Sequence, residues 1–127
     1  MAISKDLHID TKIFHCVTTD ILTDEVIITD ERIRHIEERH PGDFEKIEPF
    51  LSDILNYPDY ILEDKNPSTC LVLKVIEKNN LRIQAVLRIH TSIDPDEYKN
   101  SILSAWIIGA KRWNSYEKNK KVLYKRE

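Results

Sequence analysis

Residues 70–90 read CLVLKVIEKNNLRIQAVLRIH. Apolar and β-branched side chains fill 70–76, a polar turn follows, and from Leu81 the side chains alternate with a period of two. An amphipathic helix repeats every 3.6 residues and produces no such alternation. The stretch predicts a β-hairpin with Asn79-Asn80 as its two-residue turn. In its second strand Ile83, Ala85, Leu87 and Ile89 point one way. Arg82, Gln84, Val86, Arg88 and His90 point the other, which leaves a face carrying cations.

Outward from the hairpin, 60–63 and 101–109 keep the same period, giving four strands in succession. Residues 122–126 add a terminal strand, and 12–18 and 25–29 are short β-branched candidates. Helical spacing occupies 43–55, where Pro49 is expected to kink or split the helix, and 110–119. The expected fold is α+β, with N-terminal helices packed on one face of an antiparallel four- to five-stranded meander sheet. Residues 1–127 are expected to form a single domain, with 1–24 an N-terminal extension or edge strand. Along 101–109, parity offers either Ser104 and Trp106 or Leu103, Ala105 and Ile107 to the open face. The first pair is favoured, because a buried hydroxyl and indole N–H would need partners in the core. Arg, His, Ser and Trp on one face suit an anionic substrate with a flat base to stack.

Residues 29–41, TDERIRHIEERHP, read as a short helix capped by Asp30 and stopped by Pro41. Ile33, Ile36 and His40 share its apolar stripe, so His40 is aimed at the sheet from the helix C-terminus. A positive charge there gains about 0.3–1 kcal/mol from the helix dipole. His35 and Arg39 lie on the flank beside Glu31 and Glu38. Histidine next to arginine is suited to hold a phosphate and move a proton near neutral pH. The two histidines, five apart, are rotated by about 140° on an ideal helix, which excludes the zinc-protease pattern with histidines four apart. No metal and no cofactor are expected. Cys16 and Cys70 match no zinc spacing and have no activating neighbour in sequence, so buried free thiols are expected.

Of the 127 residues, 41% are hydrophobic and 32% charged, the balance of a globular chain. Two glycines leave no room for a glycine-rich phosphate loop. The net charge of −3 argues against non-specific coating of nucleic acid, although seven Lys or Arg against two Glu make 110–127 basic. No apolar run approaches membrane-spanning length. A cytoplasmic location is expected, or delivery into a target cell's cytoplasm as part of a larger toxin.

The order of four segments, VIITDERIRHIEERHP (26–41), YPDYILED (57–64), ILSAWIIGAKRW (102–113) and VLYKRE (122–127), resembles the phage-associated nuclease-like families of the barnase–EndoU–colicin–RelE-like (BECR) superfamily. Those small α+β domains serve as toxin tips and occur in phage and mobile-element proteins. The resemblance implies metal-independent RNA cleavage, with the sheet face as the substrate bed. Under that mechanism the 2′-OH attacks the adjacent phosphorus, which calls for a base, an acid and cations. Acid–base work falls to His40, with His35 or His90 as partner. Arg88 and Arg39 hold the phosphate with Arg112 in support, Ser104 and Tyr124 donate hydrogen bonds, and Trp106 offers a stacking surface. The expected partners are RNA, tRNA included, and a cognate immunity or antitoxin protein. The alternative is a non-catalytic protein-binding module of the immunity or antitoxin type on the same fold.

Overall fold

The computed structural model describes residues 7–127, so the first six positions of the expected extension lie outside the described residues. Seven strands form one sheet: β1 (Leu7–His8), β2 (Glu25–Ile27), β3 (Tyr60–Glu63), β4 (Thr69–Ile76), β5 (Leu81–Arg88), β6 (Asn100–Ile108) and β7 (Val122–Lys125). Their spatial order is β1-β2-β6-β5-β4-β3-β7. The centre, β3 to β6, is the expected antiparallel meander. Each edge carries more than four or five strands would allow. β7 pairs with β3 on one side, and β2 runs parallel to β6 on the other, with β1 beyond it. The sheet is therefore mixed.

The helices are α1 (Thr11–Phe14), α2 (Asp30–Arg39), α3 (Asp43–Ile47), α4 (Leu51–Asn56) and α5 (Ala110–Asn119). Residues 12–18 do not form the expected strand. Asp10 accepts from the Lys12 amide and starts α1, whose Phe14 is fully buried. The expected helix over 43–55 breaks at Pro49, where a 3-10 turn, Glu48–Phe50, separates α3 from α4. Proline has no amide hydrogen to continue the ladder. The hairpin turn is longer than two residues. Ile76 pairs with Leu81, and the loop closes through a 3-10 turn with Asn80 at φ 50°, a left-handed conformation that asparagine tolerates.

Both faces of the sheet are covered, for different reasons. Ile36, Phe44, Ile47, Leu51, Ile54 and Leu55 pack the N-terminal helices onto Val72, Ala85, Leu87 and Ala105. On the reverse face α5 lays Trp113 and Tyr116 against Tyr60, Leu62, Leu71 and Leu73. The expected open face is thus roofed in part. The Tyr60 hydroxyl donates to Glu117, and that bond together with burial raises the phenol to about 12. Asp59 explains the Pro-Asp that enters β3: its carboxylate accepts from the Val75 amide at 2.8 Å and pairs with Arg126 at 3.6 Å. Cys16 and Cys70 are free thiols, and burial pushes both upward from the usual thiol range.

Two features of β6 place everything that follows. First, it pairs with β2 only at Asn100 and Ser101, so from Ile102 onward that edge has no strand beside it among the described residues. α2 and α3 pack there instead, and the Asp43 carboxylate accepts from the Ile107 amide at 2.9 Å. Second, Val86 faces Ser104 while Leu87 faces Ile102, leaving Leu103 as an extra residue in a β-bulge. The bulge shifts parity within the strand. Ile102 and Ala105 both reach the N-terminal core, while Ser101, paired with Arg88, and Ser104, paired with Val86, both lie on the reverse face.

Removing the Asp43 carboxylate should leave the Ile107 N–H without a partner. Asp43→Ala is expected to destabilise the fold by about 1–3 kcal/mol in urea denaturation, and Asp43→Asn, which keeps an acceptor oxygen, by less. Equal stability of Asp43→Ala and the parent would show that this edge needs no cap.

Candidate active site

The N-cap of α2 is Thr29 rather than Asp30: its hydroxyl accepts from the Arg32 amide at 3.2 Å. Asp30 lies inside the first turn, where a negative charge suits the helix dipole. Ile36 is buried against the sheet, which fixes the rotation of the helix. The last residue to follow the helix is Arg39. His40 adopts φ −136°, ψ 68°, and Gly42 completes the corner at φ 84°, a left-handed conformation open to glycine. The Asp43 amide donates to the His40 carbonyl at 3.0 Å while its side chain holds β6. That corner lays the His40 imidazole flat on the Trp106 indole, with centroids 5.1 Å apart and planes within 6°. The 140° separation of the two histidines applies only while the helix continues. His40 leaves it, and turns back to the sheet.

One turn up the helix, Arg32, His35 and Arg39 line a cleft of about 190 Å³ whose other wall is Leu103 and Ser104 of β6. These three are at i, i+3 and i+7, a single stripe beside the apolar one. Among the described residues neither arginine is ion-paired. His35 lies 3.8 Å from Glu31 and 3.8 Å from Glu38, all three exposed. Such solvated pairs contribute little, so His35 is only loosely engaged.

Arg88 is on the same face but not in the same cleft. It pairs with Ser101 in register, while Trp106 pairs with Gln84, so four residues, or about 13 Å of strand, separate it from the His40 ring. Its guanidinium donates to Asp94 at 2.8 Å. Asp94 also accepts from the Thr91 amide at 2.9 Å. That bond first, then the Arg88 guanidinium, holds its carboxyl below the ordinary aspartate range. Arg88 helps line a second hollow, of about 600 Å³, which shares Arg32 and Leu103 with the cleft.

The other sequence-derived residues are dispersed. β5 ends at Arg88, and the Asn100 side chain takes the His90 amide at 2.7 Å. His90 thereby leaves the sheet and is only 3% exposed, which removes it from any substrate's reach. Its Nδ1, without a hydrogen bond among the described residues, lies 3.6 Å from Asp94. Tyr124 pairs with Ile61 at the opposite edge and packs into the N-terminal core, away from the cleft. Arg112 is exposed on α5 with its guanidinium 5.9 Å from the Tyr116 ring, and Tyr116 donates to Gln84, the neighbour of Trp106. The Trp106 face expected to stack a base is occupied by His40. Arg32 was missed by the sequence reading, although its place on the His35–Arg39 stripe is a signal present in the spacing. Among the described residues no three His, Cys, Asp or Glu side chains converge as a metal site, and no helix is long and apolar enough to cross a membrane.

An α+β sheet with a cationic helix stripe against a bulged strand suits a nuclease-like domain. Residues 6–125 match the family described as phage-Barnase-EndoU-ColicinE5/D-RelE like nuclease2. The chain belongs to that family, in keeping with the BECR resemblance of its segments. No curated protein and no solved structure matches it.

The depressed Asp94 carboxyl makes the loop after β5 acid-sensitive. Its contribution to stability is complete above the unfolded aspartate value of ~3.9 and is lost as pH falls through the lower folded value. Asp94→Asn should therefore lower Tm at pH 7, with a deficit that shrinks as pH drops below ~4. A deficit independent of pH in thermal melts would contradict this account.

Proposed function

We propose that this domain is a metal-independent endoribonuclease of the toxin or mobile-element type, acting in the cytoplasm on RNA, tRNA among its candidate substrates. The observation that carries this reading is the Arg32–His35–Arg39 stripe facing Ser104 across a narrow cleft, with His40, the next residue after Arg39, held on Trp106. Arg32 and Arg39 would balance the charge that builds on the phosphate oxygens, and Ser104 would donate a hydrogen bond to one of them. His40 and His35 divide the proton work. One takes the proton of the 2′-OH as its oxygen bonds to phosphorus, and the other protonates the departing 5′ oxygen, leaving a 2′,3′-cyclic phosphate and a 5′-OH. Trp106 acts as a positioning residue, holding the His40 ring flat on its indole. Arg112, through Tyr116 and Gln84, borders the same face.

The alternative, a non-catalytic module that binds a basic protein as an immunity or antitoxin partner would, draws on the exposed Glu31, Glu37 and Glu38 of α2. A cognate inhibitor blocking the cleft fits the catalytic reading as well.

His40→Phe keeps a ring on Trp106 and removes both nitrogens. Cleavage of total tRNA in the presence of chelator should fall ~10²–10⁴-fold in this variant, with Tm close to the parent's, and Arg39→Ala and Ser104→Ala should also slow it. Parental rates in His40→Phe would remove the histidine from the mechanism. Activity that disappears with chelator would refute metal independence. A parent that cuts nothing yet retains a basic protein would favour the binding module.

A further inference from the structure

The sheet has a second bare edge, on the side away from the cleft. β7 is the last strand in the order and has a neighbour only on its β3 side among the described residues. We propose that its outer edge docks an acidic, extended segment of a partner protein, which adds to the sheet as a further strand. Docking there does not depend on nuclease activity. Two bonds fix which backbone groups are free: the Arg126 amide donates to the Asp59 carbonyl and the Glu63 amide to the Lys121 carbonyl, both at 2.9 Å. Bonded and unbonded pairs alternate along an antiparallel ladder. The adjoining pairs, Tyr60 with Lys125 and Leu62 with Val122, are therefore the unbonded ones, and the N–H and C=O of Val122 and Lys125 point away from β3. Leu123 lies between them as the extra residue where the register slips. Main-chain donors and acceptors along one edge are what an added strand pairs with.

The side chains around this edge define the strand that fits it. Residues 118–127 carry five Lys or Arg against one Glu, in a chain of net charge −3. Lys121 meets Glu63 at 3.9 Å and Arg126 meets Asp59 at 3.6 Å, and the Lys125 ammonium lies 5.9 Å from the Tyr60 ring. Lys118 and Lys120 are exposed and have no ion pair among the described residues. A hollow of about 360 Å³ borders the start of β7, with Lys121, Leu123, Lys65, Asn66 and Ser68 in its lining. Its own carboxylates are engaged, Glu63 by Lys121 and Asp64 by the Asn66 amide at 2.9 Å, while Lys65 has no ion pair among the described residues. An acidic side chain of the incoming strand would find a cation there. A second copy would not serve, because β7 paired antiparallel with β7 sets Lys121 against Lys125, and like charges across a ladder are destabilising. The phosphates of RNA would satisfy the lysines but offer no donor to the outward carbonyls. β5, β4 and β3 separate β6 from β7, a span of roughly 19 Å at the usual strand spacing. The occupant therefore leaves the cleft open and acts as a tether.

Amide hydrogen exchange of the whole chain, read by NMR, tests the edge first. The Val122 and Lys125 amides should exchange fast and the Arg126 amide slowly. The probe is then a peptide of about ten residues alternating Glu with Val and Thr, with a control in which Lys replaces every Glu. The acidic peptide should bind, slow exchange at Val122 and Lys125, and exceed the basic one in affinity by about tenfold. Lys125→Pro removes one outward N–H and leaves the bonds to β3 in place, since proline is tolerated at a sheet edge. It should weaken binding by about tenfold, with circular dichroism and Tm close to the parent's, while Lys125→Ala, which keeps the N–H, should weaken it less. If Lys125→Pro does not fold, the exchange pattern of the parent decides alone. Slow exchange at Val122 and Lys125 in the free monomer, no binding of the acidic peptide at millimolar concentration, equal binding of the two peptides, or protection outside β7 would each overturn the docking edge. So would protection that appears with a dimer in sedimentation, or with tRNA in place of the acidic peptide. Where the parent cuts tRNA, saturating acidic peptide should leave the rate unchanged, and blocked cleavage would reject the tether. A parent that cuts nothing yet binds the acidic peptide at β7 keeps the docking edge and loses the nuclease reading.

Discussion

The unpaired edge of β6 is the constraint from which the rest of this molecule follows. β2 covers only its first two residues, and an exposed strand edge left bare invites pairing with another chain. Here the edge is closed by helices. Asp43 supplies an acceptor to the Ile107 amide, and the short corner that puts Asp43 there also carries His40 out of α2 and onto Trp106. One carboxylate thus caps a strand and sets the position of an imidazole. The stripe Arg32–His35–Arg39 faces β6 because Ile36 is buried beside it.

Sheet coverage sets the limits of the site. α5 roofs the half of the reverse face that holds Leu71, Leu73 and Tyr60, while Ser101, Leu103 and Ser104 stay accessible next to α2. What remains open is a strip between helix and strand rather than a broad bed. The arginine at its far end, Arg88, is partly neutralised by Asp94. Arg32 and Arg39 of α2 are the stronger anion binders, because among the described residues no carboxylate is paired with either.

The central meander, the terminal helix and the split at Pro49 were legible from periodicity and from proline chemistry. So was the placing of Ser104 and Trp106 on the face of Gln84 and Val86, inferred from the cost of burying a hydroxyl and an indole N–H. The sheet edges were not legible: β1 is two residues long, β2 three, and such short strands carry almost no pattern. His90 was misplaced because alternation was extended past Arg88, where a buried Asn100 side chain, rather than a strand neighbour, takes the next amide. Tyr124 was misplaced for a related reason, since the parity of an edge strand says little until its partner and register are known. Arg32 was within reach of helical spacing alone.

The additional residue at Leu103 has a wider meaning for how such a strand is used. A regular strand offers every second side chain to one surface, so polar groups for a ligand must be interleaved with core residues in a fixed rhythm. By slipping the phase once, β6 delivers Ser101 and Ser104 to the same side while Ile102 and Ala105 stay inside. The two halves of the strand are thereby uncoupled. Each can change its ligand-facing residues on its own beat, and losing that one residue would turn the indole and its histidine neighbour toward the wrong side of the sheet.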